Sequence, residues 1–208
     1  YDNWELIVID NHSTDETDEL LRSYQNSKIN CHKIHNNGII AKSRNLGIKQ
    51  SKGELIAFLD SDDWWTKDKL KVSVREMISI GADLVYHGLF KAVKEKQVIY
   101  SPIKVRNLKE NVFDDLLTGG NCIPNSSVVV KKKILEKIGY LCENLETRTW
   151  EDYDAWLRIA KFSNKFHNVD KTLGYLWLGG GNESIGSNEN CALKHIFNNI
   201  AEFEKRYK

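Results

Sequence analysis

The chain has 208 residues, 41% hydrophobic and 28% charged with only two prolines, a make-up that suits one packed globule and argues against a disordered or fibrous chain. Lys and Arg total 30 against 29 Asp and Glu, so a net charge of +1 speaks against a broad nucleic-acid-binding face and makes any strong charge local. The cysteines at 31, 122, 142 and 191 form no C-x-x-C pair, so free thiols in a reducing cytoplasm are expected rather than a zinc site. No signal-peptide pattern opens the chain, and no apolar run approaches the roughly 20 residues of a membrane helix.

In chain order, residues 4–9 read as a buried strand ending at Asp10. Ser13 and Glu16 have capping-box spacing, which predicts a helix over 13–26. A short strand at 31–35 ends in the turn Asn36-Asn37-Gly38, and a helix follows over 40–50. The apolar run 54–59 predicts a third strand ending at Asp60. A helix over 68–80 is closed by Gly81, and a fourth strand spans 83–89. Beyond residue 100 the pattern predicts a short helix at 112–117, a strand at 126–130, and a helix at 131–138 before Gly139. A strong helix follows over 151–162, with Trp156, Leu157, Ile159, Ala160 and Phe162 facing inward. Gly179-Gly180-Gly181 marks a loop, and 190–208 reads as a terminal helix.

Strands alternating with helices predict an α/β fold: a Rossmann-like, mostly parallel sheet with helices on both faces. Ligands in such sheets gather beyond the carboxyl ends of the strands, where Asp10, Asn36 and Asp60 all fall. Asp60-Ser61-Asp62-Asp63 sets three carboxylates at one such end. Like charges this close repel unless a cation joins them, and hard oxygen ligands suit Mg²⁺ or Mn²⁺. A helix N-terminus would also favour these acids.

Four segments in order carry a resemblance. They are residues 5–15, Asn36-Asn37-Gly38 with residues 41–48, residues 53–63, and residues 150–158. Together they resemble family 2 glycosyltransferases of the GT-A fold over nearly the whole chain. The resemblance implies an inverting, metal-dependent transfer of a sugar from a nucleotide-diphosphate donor to a hydroxyl of a glycan or lipid-linked acceptor, in bacterial surface polysaccharide synthesis. It implies a donor-binding part at 1–100 and an acceptor and catalytic-base part at 101–208 of one continuous domain. Asp10, Asn11, Asp60 and Ser61 are implied nucleotide contacts; Asn11 stands where the family usually has a second Asp, which leaves the base open. Asp62 with Asp60 is implied to hold Mn²⁺ or Mg²⁺. Asp152 is the implied general base, with Glu151 beside it. Arg44 either faces the donor phosphates or ties its helix to the sheet through a salt bridge. Trp150, Asn182 and Ser184 are implied acceptor contacts, and Trp64, Trp65 and Trp177 are further aromatic candidates for stacking on a sugar. The glycine loop holds none of the basic residues that family members often carry there.

The family fold normally begins with a β-α unit ahead of the position of Tyr1, so roughly one such unit of 25–35 residues is expected to be missing. The runs Lys131-Lys132-Lys133 and Lys205, Arg206, Lys208 are where peripheral contact with anionic lipid at the inner face of the membrane is to be sought. Two other readings compete: a glycan-binding relative without turnover, and a sugar-phosphate nucleotidyltransferase. The second would need a Gly-rich triphosphate loop, and none is visible.

Overall fold

The computed structural model describes residues 1–94, 97–103, 105–144 and 150–178. Two sheets share the molecule. The smaller pairs β1 (Leu6–Asp10) with β2 (Ile29–Lys33) in parallel, joined through α1 (Thr17–Ser23). Helix α2 (Ile40–Gln50) packs on β1, where Gly47 lies against Ile9.

The larger sheet contains β3 (Leu55–Ala57), β4 (Trp64–Trp65), β5 (Leu84–Lys94), β6 (Gln97–Pro102), β7 (Val129–Lys131) and β8 (Phe166–Trp177). Its order is β3-β7-β5-β8-β4, with β6 paired to β5. Strand β5 is central. Leu84, Val85 and Tyr86 are wholly buried, as an apolar run covered on both faces requires. Helix α3 (Lys69–Ile80) covers one face through Met77, against Val85, Val129 and Val169. On the other face lie α4 (Val112–Gly119), α5 (Lys132–Lys137) and α6 (Glu151–Ala160), around Trp156, Tyr86 and Val130.

The α/β fold stands, but the ladder is more mixed than strand–helix alternation predicts. Strand β5 is parallel to β8, while β7 is antiparallel to both β3 and β5. Strands β3 and β5 therefore do run the same way, as a β-α-β crossover demands, with β7 inserted between them. Periodicity shows that a segment is extended; it does not show which later strand will slip between two earlier ones.

Other boundaries moved for local reasons. Ser13 does not cap α1: its amide and hydroxyl both donate to Asp10 Oδ1, at 2.9 and 2.6 Å, so the helix starts only at Thr17. Residues 125–127 form a 3₁₀ turn ahead of β7. Phe162 lies past the end of α6 and is 55% exposed, with Lys137 over its ring. Gly81 takes the left-handed conformation that closes α3, at φ 67°. The expected loop from residue 179 and the terminal helix at 190–208 lie outside the described residues. Cys31, Cys122 and Cys142 are free thiols. No described helix is long and apolar enough to cross a membrane.

Candidate active site

The site is assembled around α2. Its neighbouring residues Ser43 and Arg44 face two different groups of motif residues. Ser43 Oγ accepts from Asn36 Nδ2 at 2.9 Å, at the end of β2. Asn36 in turn donates its amide to Asn11 Oδ1 at 2.9 Å, joining the ends of the two parallel strands. Asp10 is buried beside them, and the Ser13 hydroxyl, the Ser13 amide and Lys33 hold its carboxyl below the usual range despite that burial. One lone pair of the Asn11 carbonyl is thus taken by Asn36. His12 stacks on His35 at 3.6 Å between ring centroids at this same corner.

Arg44 reaches the second group. Its Nη2 donates to Asp60 Oδ1 at 2.7 Å and its Nη1 to Glu151 Oε1 at 2.5 Å. Of the two roles expected for Arg44, the salt bridge is present. Burial disfavours the guanidinium charge, but Asp60, Glu151 and Asp152 outweigh it and keep the group charged above its ordinary range. Asp60 Oδ1 also accepts Asn125 Nδ2 at 3.0 Å, and its amide donates to Ser126 Oγ at 3.1 Å.

Within the acidic run the environments diverge. Ser61 and Asp62 are exposed, and Asp62 makes no hydrogen bond or ion pair among the described residues. Asp63 is buried and accepts the Trp177 amide at 3.0 Å, which ties the run to β8 instead of capping a helix. Burial pushes its carboxyl up to about 6; hydrogen bonds from Ser126 and the Trp177 amide oppose this, and Asp62 and Asp60 add to it.

Glu151 and Asp152 open α6, where the helix dipole favours acids. Glu151 is buried, and Asp152 is half-buried with Oδ1 accepting the Tyr153 amide at 2.7 Å. Burial pushes Asp152 up to about 6. Arg44 opposes that shift, and Glu151 adds to it. Helix α6 is tied to the preceding segment by Arg158, which donates to the Ile138 and Tyr140 carbonyls while pairing with wholly buried Asp154 on its own helix at 2.7 Å.

Trp150 sits immediately before α6 and packs on the core. Asn182 and Ser184 lie outside the described residues. Trp65 donates its indole N–H to the Ser126 carbonyl at 2.7 Å, so it braces the site. Trp64 stacks on Tyr175 at 5.1 Å. Asn125 and Ser126 end the stretch 121–126, which resembles the family's acceptor-side segment; what the sequence did not show is that both are buried and bond Asp60. Among the described residues, no group of three or more His, Cys, Asp or Glu is placed to hold a metal ion.

The model of the family described as "Glycosyl transferase family 2" matches residues 1–139. The chain belongs to that family. A glycosyltransferase of Rickettsia felis is 30% identical over 183 residues, covering 88% of this chain and 29% of that protein. Bacillus subtilis TuaG, a putative teichuronic acid biosynthesis glycosyltransferase, is 28% identical over 98% of this chain and 78% of its own length. Escherichia coli WfgD, a UDP-Glc:α-D-GlcNAc-diphosphoundecaprenol β-1,3-glucosyltransferase, is 28% identical over 79% of this chain and 61% of its own. Among solved structures, Staphylococcus aureus TarS 1-349 superposes with TM-score 0.65 at 22% identity, over 93% of this chain and 56% of that one. The chain thus shares the TarS fold while spanning under a third of the Rickettsia relative and about half of the TarS chain.

Proposed function

We propose that the chain supplies the donor site and catalytic base of an inverting, metal-dependent glycosyltransferase acting in bacterial surface polysaccharide synthesis. The observation that carries this is the convergence of two distant motifs, Asp60 and Glu151, on the single guanidinium of Arg44. A donor carboxylate and the carboxylate pair beginning α6 thus share one crevice.

The donor set suits Mg²⁺ or Mn²⁺. It offers only hard carboxylate oxygens, Asp62 is exposed, and Asp60 has one oxygen clear of Arg44 and Asn125. An ion that takes its remaining ligands from a diphosphate and water requires no third protein carboxylate. Asp62 and Asp60 would hold it, and when bound it would neutralise charge on the departing diphosphate. Asp10, Asn11, Asp60 and Ser61 would bind the nucleoside. TarS has been solved with UDP and with UDP-GlcNAc, and WfgD uses UDP-Glc, which makes UDP the first nucleotide to test here.

Asp152 accepts the proton of the acceptor hydroxyl as that oxygen attacks the anomeric carbon. The bond from anomeric carbon to diphosphate oxygen breaks, and the nucleoside diphosphate leaves with its electron pair. Attack from the opposite face inverts the configuration. A base whose carboxyl lies near 6 is ionised at neutral pH yet basic enough to take the proton. The acceptor is a glycan or lipid-linked glycan, by analogy with WfgD, a glucosyltransferase acting on α-D-GlcNAc-diphosphoundecaprenol, and Trp150, Asn182 and Ser184 are its proposed contacts. Lipid contact through Lys131–Lys133 is less favoured, because Lys131 pairs with Asp83 at 2.7 Å and Lys132 donates to the Ser51 carbonyl.

The test is hydrolysis or transfer across a panel of UDP-, GDP- and dTDP-sugars with Mn²⁺. Turnover should vanish with EDTA and in Asp62→Ala. A glycan binder without turnover would hydrolyse nothing and keep its glycan affinity in Asp62→Ala.

A further inference from the structure

We infer that Arg44 is a positioning residue: a strut that fixes the donor-side carboxylate and the base-side pair at one spacing. This rests on the glycosyltransferase reading above and names how that site is held together.

The argument starts from the backbone of α2. Three consecutive side chains leave this helix in three directions, and each is fixed at its far end. Ser43 holds Asn36. Asn45, 3% exposed, accepts the Leu141 amide at 2.9 Å and donates to the Leu141 carbonyl at 2.9 Å and to Glu143 at 2.8 Å. The bonds on either side fix the rotation of α2, and so the place from which the Arg44 side chain leaves it. Its planar fork then meets Asp60 through one nitrogen and Glu151 through the other. A guanidinium is well suited to this. It presents several N–H groups in a rigid plane, whereas a lysine ammonium is a single point charge on a flexible stem.

The two carboxylates come from segments with no common strand or helix. Asp60 follows β3; Glu151 begins α6. Without a cation between them they repel, and the crevice opens. Asp152 is the next residue after Glu151, so the place of Glu151 fixes the start of the helix that carries the base. Asn125 adds a second tie to Asp60 but reaches neither acid of α6 among the described bonds. Arg44 therefore acts on the reaction through Asp60 and Glu151, and the nucleotide need not touch it.

The experiment compares the unaltered chain with Arg44→Met, Arg44→Lys and Glu151→Gln, using UDP with Mn²⁺ as the binding probe and hydrolysis of UDP-glucose (or whichever UDP-sugar the panel favours) as the turnover probe. Asp60 keeps its bonds with Asn125 and Ser126 when Arg44 is lost, so the end that moves is α6; a strut therefore predicts that UDP affinity stays within about threefold while kcat falls about a hundredfold, the scale of an ångström's displacement at a reacting centre. Arg44→Lys should recover only part of kcat. Glu151→Gln, cut from the other end, should lose kcat in the same way, and the double variant should lose little more than either single one. The inference is overturned if UDP affinity falls in step with turnover, since Arg44 would then be a direct donor contact. It is equally overturned if kcat survives in Arg44→Met, or if the two single losses simply multiply. An unaltered chain that turns over no nucleotide sugar overturns the glycosyltransferase reading and the strut together. If Arg44→Met fails to fold, Glu151→Gln and Arg44→Lys decide the matter.

Discussion

Single residues in this molecule owe their chemistry to neighbours that sequence spacing does not reveal. Asp152 and Asp62 are both acids in short acidic runs, yet one is pushed up to about 6 by burial and the other stands in solvent. Replacing Asp152 by Asn should keep UDP binding and lower kcat by about 10²- to 10⁴-fold, the usual span for a lost general base. The pH profile of kcat should follow the same group. Asp152 must be ionised to accept a proton, so activity should be level above pH 7 and fall about tenfold per unit once pH drops below about 6. A profile that keeps its full rate down to pH 4.5 would remove Asp152 from the role. Asp10, Asp60 and Asp62 drew attention from the sequence as acids at strand ends, whereas Glu151 and Asp152 were marked only by the resemblance to family 2 glycosyltransferases. Asn125 and Ser126 were marked only as part of an acceptor-side stretch; their bonds to Asp60 emerge once burial denies them water.

The segments that read best as elements were those with strong local signals. Helix α3 ends at a left-handed glycine, and α6 carries its buried stripe and its Asp154–Arg158 pair. Helix α1 misled because a nearby acid outcompeted the helix for its expected cap, taking both donors of Ser13. Strands β4 and β8 were missed: two tryptophans look like a fragment, and the 166–177 run mixes polar and apolar residues without clean alternation. Their pairing depends on Gly174. A Cβ there would meet Leu89 at 2.9 Å, the Trp64 carbonyl at 3.0 Å and the Trp65 ring at 3.2 Å. Gly174→Ala should therefore destabilise the fold by about 1–3 kcal/mol, as overpacking does. It should also weaken metal-dependent turnover, because Trp177 holds Asp63 further along the same strand. A chemical-denaturation midpoint equal to that of the unaltered chain would show that the strand pair tolerates a wider gap.

For the whole molecule, the α/β class and the gathering of motifs at one crevice followed from alternation and strand-end logic. The order of the strands did not. The chain's own stability should report on the site: UDP with Mn²⁺ at about a hundred times its Kd should add about 2.7 kcal/mol, raising the melting temperature, and UDP with EDTA should add much less. No shift with any nucleoside diphosphate and Mn²⁺ would count against a donor site here. The inserted strand β7 has a consequence of another kind. Ile56 pairs with Val130, and the acidic loop beyond β3 is braced by Asn125 and Ser126 on the approach to that same strand. During synthesis β3 and its carboxylates emerge long before the segment that clasps them, and closing so long a loop is slow. Residues 1–100 should therefore not complete their folding before β7 has been made. A nascent chain stopped short of residue 125 should carry Asp10, Asp60 and Asp62 and still lack the Asn125 and Ser126 bonds, leaving Asp60 to Arg44 until the following segment threads between β3 and β5.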